Sequence, residues 1–97
     1  MALDHERRLR TILSEDGWVV VRASKGACDL VALKPGDVRL IQVKHTLRPY
    51  DHFGPQDRQV LKAMADSAGA TAWLIWWAPG RNKGWKWIPV SEWPKSK

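Results

Sequence analysis

Apolar positions fall into short separate groups along this chain, and their spacing switches from helical to strand-like and back. Leu9, Ile12 and Leu13 repeat at the helical interval and Gly17 supplies a stop, so residues 2–16 are expected to form a helix. Trp18-Val19-Val20-Val21-Arg22 is short and β-branched and predicts a strand. Ser24-Lys25-Gly26 reads as a turn, Cys28 to Leu33 as a second strand, Pro35-Gly36-Asp37 as a tight turn and Val38 to Lys44 as a third strand. From His45 to Gly54 the chain is polar and irregular, broken by Pro49, Gly54 and Pro55. A second helix is expected from Pro55 to Ala68, with proline in its first turn, Gly69 at its end and an apolar stripe of Val60, Leu61 and Met64. Thr71 to Ala78 is apolar on both faces and predicts a central strand covered on both sides. A basic loop, Pro79 to Lys83, leads to a last strand, Trp85 to Val90, and a tail after Trp93. The order α-β-β-β-α-β, closed by that last strand, predicts an α/β fold: a central mixed sheet with helices against it, in one domain over 1–97. Its core is expected over about 3–93, with a loose tail at 94–97.

Composition narrows the class. At 97 residues the chain suits one small domain, which buries roughly two-thirds of the surface its unfolded form exposes. Charged residues at 27% and hydrophobic ones at 44% argue against wholesale disorder. No apolar run approaches the ~20 residues of a membrane span, and the opening MALDHERRLR is charged where a signal peptide is apolar. The single cysteine, Cys28, excludes an internal disulfide framework and a cysteine zinc cluster, and fits a reducing, cytoplasmic setting. A formal charge of +6 favours a polyanionic partner, nucleic acid first among them.

Three positions carry candidate chemistry. Glu6 sits about 60° around the first helix from Leu9, so it borders the buried face, where a carboxylate needs a cation, a metal or hydrogen-bond donors. A rim pair with Arg10 would satisfy it equally. Asp29 opens strand 2, where acidic residues are depleted unless they cap a turn. Gln42 and Lys44 are two apart on strand 3 and face the same way, although an isolated lysine at a strand end is ordinarily just solvated. Pairing strands 2 and 3 through their short turn makes Asp29 and Lys44 cross-strand neighbours, and the first helix can set Glu6 over the same spot. Carboxylate and amide oxygens are hard ligands suited to Mg²⁺, and a lysine beside them can orient an attacking water.

Asp29, twelve residues and then Gln42-Val43-Lys44 resembles the D…(E/Q)-x-K signature of the PD-(D/E)XK nuclease superfamily. More narrowly, the chain is similar to the archaeal-type Holliday junction resolvases, which also occur in phages. That likeness runs from Glu6 through Val20-Val21-Arg22 and Asp29-Leu30-Val31-Ala32 to Ile41-Gln42-Val43-Lys44-His45-Thr46. It continues more loosely through the second helix and Gly84-Trp85-Lys86-Trp87-Ile88-Pro89-Val90. The resemblance implies a restriction-endonuclease-like fold and a structure-selective, Mg²⁺-dependent endodeoxyribonuclease, with Mn²⁺ as a substitute ion. It further implies a homodimer acting on branched DNA, the four-way junction, in the cytoplasm of a cell or of a phage host. By the same resemblance Asp29, Gln42 and the Val43 carbonyl ligate the metal, Glu6 is a ligand directly or through water, and Lys44 orients the nucleophilic water. Ser24 and Arg22 would lie near the scissile phosphate, and Arg7 would face DNA.

One departure matters: glutamine at position 42 stands where the acid is usual, removing a negative charge and a possible base. Two other classes stay open on that account, a DNA-binding module with a degenerate site and a nuclease acting on flaps or duplex. Lys25, His45, Arg48 and His52 flank the proposed site, and Arg81 and Lys83 lie on a later loop, all placed for phosphate contacts or simple solvation. For the seven tryptophans, core, dimer interface and base stacking all stay open as roles.

Overall fold

The computed structural model describes residues 2–23, 28–78 and 84–95, with side chains from Glu6 onward. Helix α1 (Ala2–Glu15) is followed by β1 (Val19–Arg22), β2 (Leu30–Lys34) and β3 (Asp37–Lys44). A single helical turn, α2 (Pro49–His52), precedes α3 (Pro55–Ala68), and β4 (Thr71–Trp77) and β5 (Trp85–Pro89) complete the set before a 3₁₀ turn at Val90–Glu92. The five strands lie side by side in chain order as β1-β2-β3-β4-β5. Antiparallel pairing of β1, β2 and β3 follows from the short turns between them, and β4–β5 is antiparallel too. β3 and β4 run parallel, which requires a long crossover, and α2 and α3 supply it. The sheet is therefore mixed, as its sequence order predicts.

Side chains alternate along the strands and divide the core in two. On one face Leu9 and Leu13 of α1 pack with Trp18, Leu30, Ala32, Ile41, Ile75 and Trp77. On the other, Leu61 and Ala65 of α3 pack with Leu40, Phe53, Ala72, Leu74, Ile88 and Trp93. Each leucine, isoleucine or phenylalanine among them contributes about 1.5–3 kcal/mol by leaving water. Strand β4 feeds both clusters, which explains why its sequence is apolar from Ala72 to Trp77.

Two expectations are corrected. The stripe that α3 buries is Arg58, Leu61 and Ala65, whereas Val60 and Met64 are exposed. The helix is turned roughly 80–90° from the predicted face because Arg58 is accommodated inside. Its Nη1 donates to the Phe53 carbonyl at 2.7 Å and its guanidinium lies against the Tyr50 ring, so the cation is not orphaned. The segment 45–54, expected to be irregular throughout, contains the α2 turn and the fully buried Phe53, edge-on to Trp93 at 4.9 Å. The glycines behave as punctuation demands: Gly69, at φ 68°, caps α3 in the left-handed region, its N–H turned back to the Asp66 carbonyl. The basic loop at 79–83 and the turn at 24–26 lie outside the described residues.

Candidate active site at the end of the β2–β3 pair

Strand β3 ends with Gln42, Val43 and Lys44. Gln42 and Lys44 fall on the α3 side of the sheet, in register with Leu74 and Trp76, while Val43 turns to the α1 side. Asp29 lies one residue before β2, and its backbone N–H donates to the Ile41 carbonyl at 2.8 Å, which ties the irregular lead-in to the neighbouring strand. Its direct side-chain neighbour is Gln42, not Lys44. Register explains the difference: Leu30 faces Ile41, so the next position back meets Gln42 and leaves Lys44 two residues further along.

Asp29 Oδ2 accepts two hydrogen bonds, from the Gln42 side-chain amide at 2.8 Å and from the Val43 backbone N–H at 2.9 Å. An ionised carboxylate only accepts, so the group that Gln42 turns toward it must be its NH₂. Burial pushes the Asp29 carboxyl above its ordinary value, while the Val43 N–H and the positive charge of Lys44 pull it part of the way back. Among the described residues no hydrogen bond reaches Asp29 Oδ1, and no ion pair engages the Lys44 ammonium.

Glu6 and Arg22 meet on the opposite face. Arg22 follows Val20 on the α1 side of β1, and its Nε stands 3.2 Å from Glu6 Oε1. The partner of Glu6 is thus Arg22, not Arg10. That oxygen is shielded from water yet makes no hydrogen bond of good geometry, and Arg10 Nε is likewise buried without one. The structure thus shows two groupings: Asp29, Gln42 and the Val43 N–H joined by hydrogen bonds, and Glu6 with Arg22 joined by an ion pair.

Arg7 is exposed and lines an open cleft of about 590 Å³ between α1 and β1, with Arg10, Thr11 and Ser14. His45 is exposed and edge-on to Trp77, with 6.1 Å between ring centroids. Arg48, exposed, stands 3.9 Å from Asp51. Ser24, Lys25, Arg81 and Lys83 lie outside the described residues. One contributor has no signal in the sequence. Trp76, in register with Lys44, donates its indole N–H to the Thr46 carbonyl at 2.6 Å and so pins the chain just beyond the lysine.

Among the described residues no group of three or more His, Cys, Asp and Glu forms a ready-made metal cluster. Asp29, Gln42 and Val43, which two hydrogen bonds tie together, carry between them a carboxylate oxygen, an amide oxygen and a backbone carbonyl. All are hard oxygens, and Mg²⁺ commonly binds through one or two carboxylates, keeping waters and taking substrate phosphate oxygens. The residues fit such an ion, with a single negative charge to hold it.

A mixed five-stranded sheet with a helix on each face is the architecture of the PD-(D/E)XK-like fold. In the solved structures, Archaeoglobus fulgidus Hjc, a Holliday junction resolvase from an archaeal hyperthermophile, has the same fold, with a TM-score of 0.77 at 22% identity over 95% of this chain and 75% of that one. The sequence model of the archaeal Holliday junction resolvase (Hjc) family matches residues 2–96, and the chain belongs to that family. Membership makes it a DNA-junction nuclease by family. No curated protein sequence matches it. No helix among the described residues is long and apolar enough to cross a membrane.

Proposed function

We propose that this chain is a Mg²⁺-dependent endodeoxyribonuclease that resolves four-way DNA junctions by paired phosphodiester hydrolysis, working as a homodimer. The observation that carries the reading is the meeting of Asp29, Gln42, Val43 and Lys44 at one end of the sheet, in the family whose substrate is the junction. When bound, Mg²⁺ or Mn²⁺ supplies a Lewis acid for the phosphoryl oxygens. Asp29 Oδ1, the Gln42 amide oxygen and the Val43 carbonyl would hold it, with Glu6 contributing through water.

Lys44 orients the attacking water and meets the charge that develops on the phosphate, from a strand end that Trp76 holds through the Thr46 carbonyl. Arg22, Ser24 and Arg7 sit by the scissile phosphate, and hydrolysis leaves 5′-phosphate and 3′-hydroxyl ends. Lys25, His45, Arg48, Arg81 and Lys83 hold the backbone of the arms, giving affinity and salt dependence without sequence readout.

Support for the dimer comes from exposed apolar side chains. Val19, Val21 and Val38 on the α3 side of the sheet and Val60 and Met64 on α3 are all solvent-exposed, and Leu40, Val60, Ala63 and Met64 line an open apolar cleft of about 700 Å³. The tryptophans are less available: Trp18, Trp77 and Trp93 are buried, and Trp73, Trp85 and Trp87 are half-buried against one another. Val60→Asp with Met64→Asp should give a monomer by analytical ultracentrifugation and abolish paired cutting. A dimer retained in the double variant would place the interface elsewhere.

The deciding experiment is cleavage of a labelled immobile four-way junction beside linear duplex, flap and single strand, with Mg²⁺ or EDTA. Symmetric paired nicks on the junction, lost in EDTA, are expected. Tight binding with no product in Mg²⁺ or Mn²⁺ would make the chain a DNA-binding module. Duplex or flap cutting at least as fast as junction cutting would make it a different nuclease.

A further inference from the structure

Among the described residues, five of the exposed large apolar side chains, Val19, Val21, Val38, Val60 and Met64, belong to the sheet face and helix already discussed. Leu47, the most exposed of all at 71%, stands apart from them, in the turn between β3 and α2. One exposed leucine means little by itself. This one, however, is presented by a turn held on both sides. Just before it the Thr46 carbonyl accepts the Trp76 indole N–H at 2.6 Å. Across it the Thr46 hydroxyl accepts the Arg48 backbone N–H at 3.2 Å, and beyond it Pro49 is buried. A tip so anchored loses little backbone freedom when it meets a ligand.

Its flanks suit a nucleic acid. His45 and Arg48 are exposed beside it, and Lys44 lies three residues back, no more than about 11 Å away along an extended chain. Successive nucleotides of one strand rise about 3.4 Å, so Leu47 is within about three base steps of a phosphate held at Lys44. A leucine has nothing to offer a phosphate. What it gains on DNA it gains by leaving water between bases, and that requires a base step to open. Opening is least costly where stacking is already interrupted, as it is where the arms of a branched DNA meet.

We propose that Leu47 is an apolar wedge: on binding, its side chain enters the branch point of the junction and unstacks a base step there, while His45 and Arg48 hold the phosphates on either side. Leu47 determines specificity and takes no part in hydrolysis. The inference rests on the junction reading above and deepens it, by naming how a junction is told from continuous duplex.

The test places 2-aminopurine, whose fluorescence rises on unstacking, at the branch point of one immobile junction and in mid-arm of another. Ca²⁺ stands in for Mg²⁺, so that binding is read without turnover. Saturating wild-type protein should brighten the branch-point probe and leave the mid-arm probe unchanged. Leu47→Ser should lose most of that rise at saturation, with the melting temperature and sedimentation of wild type. Its preference for the junction over duplex should fall about tenfold, the scale of one leucine's burial less the unstacking it offsets. Leu47→Phe, a larger wedge, should keep both the rise and the preference. Arg48→Ser should bind every DNA more weakly, with a shallower salt dependence, and still brighten the branch-point probe at saturation.

An equal rise with Leu47→Ser and wild type would overturn the proposal. So would a change of sedimentation in Leu47→Ser, which would make the leucine a contact between subunits. A wild-type chain that prefers the junction yet leaves the branch-point probe dark would overturn the wedge alone. One with no preference for the junction over duplex would overturn the resolvase reading itself.

Discussion

Strand β3 carries a cation near each end, and the two are treated in opposite ways. Arg39, on the α1 side, is paired and stacked. Its Nε and Nη2 each stand 3.1 Å from an Asp37 carboxylate oxygen, and its guanidinium lies 4.1, 4.6 and 4.8 Å from the rings of Trp73, Trp87 and Trp18. A planar, weakly hydrated guanidinium suits that stack of indoles as an ammonium would not. Lys44, on the α3 side, has Asp29 near enough to feel its charge but makes no ion pair or hydrogen bond among the described residues. A cation clasped by a carboxylate on one edge and stacked among three rings is part of the architecture. One left short of partners beside a carboxylate, with its strand end pinned by Trp76, can still give its charge to a substrate.

That contrast orders the expected effects of mutation. Lys44→Ala should lower the single-turnover cleavage rate by about 10²–10³-fold, the range for removing one stabilising donor at a reacting centre, with junction affinity changed only a few-fold. Asp29→Ala should do the same. Normal cutting by either variant would erase the distinction between the two ends of β3. Arg39→Ala should leave the rate per folded molecule unchanged and act on stability instead. Loss of the ion pair and the cation–π contacts should cost about 2 kcal/mol, or a fall of roughly 8–16 °C in Tm for a domain of this size. A large loss of cleavage at unchanged stability would move Arg39 into the functional machinery.

The smallest expected effect sharpens the comparison through pH. The folded Asp29 carboxyl sits above its unfolded value, so the native state holds that proton more tightly than the unfolded chain does. Its contribution to stability is fully present below the unfolded pKa and is lost as pH rises through the folded one. At neutral pH an ionised Asp29 therefore costs stability, and Asp29→Asn should melt higher than wild type there. The difference should vanish in acid below the ordinary carboxylate range. An Asp29→Asn protein that melts lower at neutral pH would show that the carboxylate supports the fold, as Asp37 does for Arg39.

Much of this was legible in the chain itself. Proline at the start and glycine after the end bounded α3 at Pro55 and Ala68, because both residues have backbone restrictions or freedoms that act locally. The spacing of Asp29, Gln42, Val43 and Lys44, with a short turn between two β-branched runs, sufficed to bring those four groups to one end of a hairpin. The resemblance that those residues carry led to the family that the comparison found.

Other features had no local cause to read. Whether Val60 or Arg58 turns inward on α3 depends on a carbonyl at Phe53 and a ring at Tyr50 contributed by the preceding turn, and polarity alone assigns a buried arginine to the wrong side. Glu6 meets Arg22 because α1 lies on the face opposite Gln42 and Lys44, and the choice of face for a helix belongs to the whole sheet. The union of Arg39 with three tryptophans draws residues from β3, β4, β5 and the segment before β1. Sequence by itself determined the elements, their order and the hairpin that gathers the acid, the amide and the lysine, since each follows from short-range geometry and spacing. Only the tertiary structure decided which face each helix covers and which cation is stacked among rings, because those outcomes depend on packing partners far apart in the chain.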